Sequence, residues 1–131
     1  MSGPSPEELI EAAHWLRESE EELRVAERLV AEVDLPGRIA CFHAHLAAEK
    51  ALRALQIRRG VPVRKTHNLV GLAEELPSAD AASFEDSDLD ALNPWTIDGR
   101  YPEDHRDVSH QAATAVLEAA RRVISAVKAG W

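Results

Sequence analysis

Apolar residues recur along this chain at spacings of three, four and seven, the signature of helices that bury one face. Leu9, Ala13, Leu16, Leu23, Ala26, Val30 and Val33 predict a long amphipathic first helix. Ser5-Pro6-Glu7-Glu8 supplies a capping box with proline at the first helical position, and Asp34-Leu35-Pro36-Gly37 breaks the helix. A second helix is expected from about Gly37 to Arg59, stopped by Gly60 and then Pro62. Thr66 is placed to cap a short third helix that buries Leu69, Leu72, Ala73 and Leu76 before Pro77 ends it. Ser87 to Leu92 has room for a helical turn. Beyond it, Asn93-Pro94, Asp98-Gly99 and Tyr101-Pro102 mark an ordered, non-repetitive segment. The last helix starts near Asp107 or Ser109, with a stripe of Ala112, Val116, Ala119, Val123 and Val127 facing the core. No strand pattern, internal repeat or low-complexity tract competes. The expected fold is all-α, one domain over residues 1–131: an antiparallel up-and-down helical bundle of three long helices plus one or two short ones.

The second helix is the informative one. At about 100° per residue, Ala40, Ala44, Ala47, Ala51 and Ala54 fall in one stripe without bulk, so another helix can approach closely. Ile39, Leu46 and Ile57 flank it on one side, Leu52 and Leu55 on the other. His45, Glu49, Arg53 and Gln56 share the opposite face. This pattern places the helix at the centre of the bundle with one polar edge left open. Its apolar arc is wider than one neighbour covers, and Trp95 and Trp131 lie near chain breaks, so a homodimer is expected.

Composition adds limits. Alanine, leucine and glutamate dominate and aromatics are 5%, which suits helices rather than sheets. The single Cys41 lies inside the central helix, so there is no disulfide framework. With no apolar run of about 18 residues and no basic-then-apolar leader, the expectation is a cytoplasmic protein that does not engage a membrane. A formal charge of -8 argues against indiscriminate nucleic-acid binding. The charges are unevenly distributed, however. Lys50, Arg53, Arg58, Arg59, Arg64 and Lys65 form an acid-free run, whereas Glu74 to Asp104 is almost wholly acidic with Arg100 the lone cation. The basic run is either a solvated face or a receptor for an anionic ligand or an acidic partner surface.

Three blocks, in order, carry a family resemblance. They are the central Phe42-His43-Ala44 with Ala47-Ala48-Glu49-Lys50-Ala51-Leu52-Arg53-Ala54-Leu55, then Thr66-His67-Asn68-Leu69, then Arg100-Tyr101-Pro102 before the last helix. Together with Trp15 in the first helix they resemble the HEPN (higher eukaryotes and prokaryotes nucleotide-binding) domain family, in its Arg-Tyr-Pro branch, over nearly the whole chain. The resemblance implies an all-α bundle that dimerises and belongs to a two-gene system, often with a minimal nucleotidyltransferase as partner and sometimes of toxin–antitoxin type. Some members are toxins that cleave RNA; others bind nucleotides or partners without catalysis. Two departures stand out. His45-Leu46 replaces a frequent Gln-Gln, and Asp107 stands where the ribonuclease toxins commonly carry a tyrosine two residues after their histidine.

The candidate catalytic pair is Arg100 and His105, an Arg-x4-His by count. Metal-independent RNA cleavage needs a base for the ribose 2′-hydroxyl and a cation for the phosphate charge, and these residue types supply both. Equally, Arg100 can pair with Asp98, Glu103 or Asp104 while His105 is solvated. Pro102 and the acidic pair inside the motif favour that second reading. Candidate ligand-binding residues are Glu49, Lys50, Arg53, Arg64, Lys65 and Tyr101, although Glu49 and Arg53 also read as an ordinary i, i+4 helical ion pair. His67 is expected to cap or hydrogen-bond backbone at the short helix start. His43 and His45 point to different sides, and no His-x3-His occurs, so neither metal nor cofactor is expected. The expected function is a nucleotide- or partner-binding module working with a separately encoded minimal nucleotidyltransferase. The alternatives are an Arg-x4-His ribonuclease or a purely structural adaptor.

Overall fold

A computed structural model describes residues 3–96 and 108–131. These residues form six helices in chain order: α1 (Pro6–Ala31), α2 (Gly37–Arg58), α3 (Leu69–Glu74), α4 (Ser78–Ala81), α5 (Asp86–Leu92) and α6 (His110–Gly130). No strand occurs among them, and the fold is all-helical as the periodicity requires.

The capping box at the start of α1 forms as its residues dictate: Ser5 Oγ accepts from the Glu8 amide at 3.1 Å, and Glu8 Oε1 accepts from the Ser5 amide at 2.9 Å. The fully buried residues of α1 are Ala12, Ser19 and Ala26, a seven-residue repeat of small side chains. They meet the alanine stripe of α2, along which α1 packs for most of its length. Small residues on both helices allow that close approach. For that reason Leu16, Leu23 and Val30 flank the seam half-buried, while Ala13 and Val33, expected in the core, are exposed. Gly60, at φ +70°, takes the left-handed conformation that ends α2.

At the other end of α2, a Cβ on Gly37 would lie 2.8 Å from the Val108 carbonyl oxygen and 3.4 Å from the Ala113 methyl. In the first turn of α6, Ala113, not the expected Ala112, faces inward, against Gly37 and on one face with Val116, Leu117 and Ala120. The remainder of its stripe is buried as expected at Val116, Ala119, Val123 and Val127. Ser109 is its cap, accepting from the Ala112 amide at 3.0 Å.

The short helices cross between α2 and α6. Asn68, not Thr66, is the N-cap of α3, because its side chain accepts from the Gly71 amide; Thr66 Oγ1 instead accepts from the Asn68 amide at 3.1 Å. Pro77 both follows α3 and begins α4. Asp88 fastens α5 to α6 by accepting from Arg122 at 2.9–3.1 Å. Trp95 and Trp131 pack against the chain's own core, and the Arg58 guanidinium sits 4.7 Å over the Trp131 ring.

Candidate functional site

The polar face of α2 is not an open edge. His45 is 1%, Glu49 6%, Arg53 7% and Gln56 0% exposed. Burying such groups is costly unless each finds a partner, and the segment between α2 and α6 provides partners from its backbone. His45 Nδ1 is 2.8 Å from the Leu92 carbonyl, and Gln56 Nε2 donates to the Leu72 carbonyl at 2.9 Å. Arg53 donates to the Arg64 carbonyl at 2.8 Å and the Thr66 carbonyl at 2.5 Å. One helix face thus holds the loop after Gly60, α3 and the end of α5. The unmatched remainder is small: Gln56 Oε1 is buried without a hydrogen bond.

Glu49 is the centre of this arrangement. Its Oε1 lies 2.8 Å from His67 Nδ1 and 3.3 Å from His45 Nε2, while Oε2 accepts from Arg53 Nε at 3.2 Å. Burial pushes the Glu49 carboxyl up, but the contacts with the His45 and His67 ring nitrogens and the Arg53 charge more than offset it and hold the group at about 2. It is an anion at any ordinary pH. His67 is the member nearest solvent, its side chain 52% exposed.

Of the residues singled out from sequence, Glu49 and Arg53 meet here, with Arg53 holding the backbone of Arg64. Lys50 does not join them; it pairs with Glu22 at 3.1 Å and Glu18 at 3.8 Å on α1, beside His43, which also contacts Glu22. The Arg64 guanidinium pairs with Glu75 at 2.7 Å yet stays 74% exposed. Lys65 is exposed, and no acid among the described residues pairs with it. Arg59 pairs with Asp80. Lys50, Arg53, Arg59 and Arg64 of the acid-free run each meet an acid, Arg58 meets the Trp131 carbonyl and ring, and Arg64 and Lys65 are the members whose side chains stay exposed. Arg100, Tyr101 and His105 lie outside the described residues.

The sequence pattern alone did not identify His45 and His67 as partners of Glu49. His45-x3-Glu49 is a same-face spacing that signals the first contact. No local signal announces the second, because the chain reverses at Gly60 to bring His67 back. An open groove beside Glu8, Glu11, Ile57 and Val63 lies elsewhere, and its two acids do not suit an anion.

Comparison with known proteins agrees with this architecture. A family model described as HEPN domain matches residues 12–130. The chain is similar to TT1696 from Thermus thermophilus, at 28% identity and a TM-score of 0.78 over 92% of this chain and 98% of that one. It is also similar in fold to ST0689, an archaeal HEPN homologue, at 21% identity and a TM-score of 0.72 over 91% of this chain and 96% of that one. No curated protein matches the chain. Among the described residues no helix is long and apolar enough to cross a membrane.

Proposed function

The chain belongs to the HEPN domain family, and from that premise we propose that it is a homodimeric binding module for a nucleotide or RNA. In this reading it works with a separately encoded minimal nucleotidyltransferase, in the manner of a toxin–antitoxin-like pair. The observation that carries the binding role is the way Arg53 anchors the loop after Gly60 from inside. With Arg53 committed to the Arg64 and Thr66 carbonyls, the loop presents the side chains of Arg64 and Lys65 outward. A fixed loop with Lys65 and an exposed Arg64, which a phosphate would draw from Glu75, suits an anion without needing a basic protein overall. Glu49, Lys50 and Arg53 act in this reading as scaffold, and Tyr101 remains a candidate contact.

Binding of a fluorescent nucleotide and of short single-stranded RNA, measured against salt, tests the proposal. Arg64→Ala with Lys65→Ala should weaken binding and flatten its salt slope by about two phosphate contacts. Arg53 is left intact because its removal would disturb the loop itself. Binding with an unchanged slope in the double variant would overturn the assignment. Co-expression with a separately encoded minimal nucleotidyltransferase, followed by co-purification, tests the pairing separately.

A further inference from the structure

The contact between His45 and Glu49 has a consequence for what the cluster holds. The Leu92 carbonyl can only accept, so the 2.8 Å contact places a proton on His45 Nδ1. A neutral ring with its proton there has a lone pair on Nε2, and that lone pair faces Glu49 Oε1 at 3.3 Å. Two lone pairs meeting in a site where His45 is 1% exposed require a positive particle between them or a second proton on the ring. His67 Nδ1 points to the same oxygen at 2.8 Å. His45 Nε2, a Glu49 oxygen and a His67 ring nitrogen all lie within 4.8 Å of one another.

We propose that His45, Glu49 and His67 form a divalent transition-metal site, with two imidazoles and one carboxylate oxygen as protein ligands. Ligand atoms at about 2.0–2.2 Å around a tetrahedral ion stand about 3.3–3.6 Å apart; the His45–Glu49 pair is already at 3.3 Å, and the His67–Glu49 pair at 2.8 Å opens slightly to admit the ion. Two imidazole nitrogens select a zinc-like ion over magnesium or calcium, which prefer all-oxygen shells. The surroundings also fit. Metal-bound histidines almost always donate their other ring N–H to a carbonyl or carboxylate, as His45 does to Leu92, and ligating carboxylates are themselves hydrogen-bonded, as Glu49 is by Arg53. The Arg53 charge opposes a cation, so the site is of moderate affinity. The half-exposed His67 gives the ion a way in and leaves a fourth position for water. A metal here clasps the Thr66–His67 loop to the central helix.

The test uses the full chain, free of any purification tag and stripped with chelator, titrated with Co2+ and with Zn2+. The expected result is one ion per chain, a visible Co2+ absorption of low-coordinate type displaced by Zn2+, and a raised unfolding temperature with Zn2+. His67→Ala, at a half-exposed position that should not unfold the bundle, should weaken binding by at least about tenfold, the smaller end of the effect of losing even an outer partner. His14→Ala, an exposed histidine on α1, should change nothing. Absence of binding, or binding that His67→Ala leaves unchanged, would overturn the site and assign the extra positive particle to a second proton on His45.

Discussion

Arg53→Ala tests the idea that the polar face of α2 is a fastening rather than a binding edge. The side chains of Arg53 and Glu49 are 9% and 8% exposed, so solvent screens their interaction little. Removing the arginine leaves the Glu49 carboxylate short of its strongest counter-charge and strips donors from the Arg64 and Thr66 carbonyls. Breaking a buried pair by deleting one partner costs about 3–5 kcal/mol. That is a large share of the roughly 5–15 kcal/mol by which domains are stable. For a chain of this size it should lower Tm by about 10–20 °C. Thermal and urea unfolding followed by circular dichroism measure it, the urea series checking that the slope is unchanged. Adding Glu49→Gln should recover part of the loss, because the uncompensated charge goes with it, giving a coupling of about 1–3 kcal/mol. A loss below about 1 kcal/mol for Arg53→Ala, or strict additivity in the double variant, would refute the reasoning.

Other outcomes follow from the same geometry. Because the Glu49 carboxyl is held at about 2, below its ordinary value of 4.5, its contribution to stability is complete above that ordinary value and lost as pH falls toward 2. That contribution is about 3 kcal/mol at about 1.4 kcal/mol per pKa unit. Urea midpoints with chelator present should therefore fall more steeply below pH 4.5 in the native chain than in Glu49→Gln. Gly37→Ala should destabilise by about 1–3 kcal/mol despite alanine's better helix propensity. The added methyl would meet the rigid Val108 carbonyl at 2.8 Å, and an unchanged Tm would contradict this. Light scattering at micromolar concentration should report twice the chain mass, with Val33→Asp and Ile39→Asp tending to the monomer, since these exposed apolar residues lie in the α1–α2 connection and in the first turn of α2. Purified protein with chelator should cleave no single-stranded RNA; cleavage that disappears in His105→Ala would instead establish the ribonuclease reading.

Features governed by neighbours along the chain were legible in the residues alone. Periodicity defined the long helices, Ser5 and Gly60 marked ends that depend on local hydrogen bonding and backbone freedom, and the alanines of α2 identified its contact face. Local rules also placed α5, since Asp86–Leu92 is helical within a residue of the expected turn. They were less able to fix which side of a helix end faces inward. Ala113, rather than Ala112, is buried at the start of α6, where it packs beside Gly37, far away in sequence. The larger difference is the polar face of α2. His45, Glu49, Arg53 and Gln56 share a face by spacing, and a shared polar face ordinarily meets water. Whether it does so depends on what covers it. Only the folded chain returns the carbonyls of Arg64, Thr66, Leu72 and Leu92 to that face, and only there does His67 reach Glu49. Burial of charge is decided by partners distant in sequence, which is why the candidate cluster belongs to the tertiary structure.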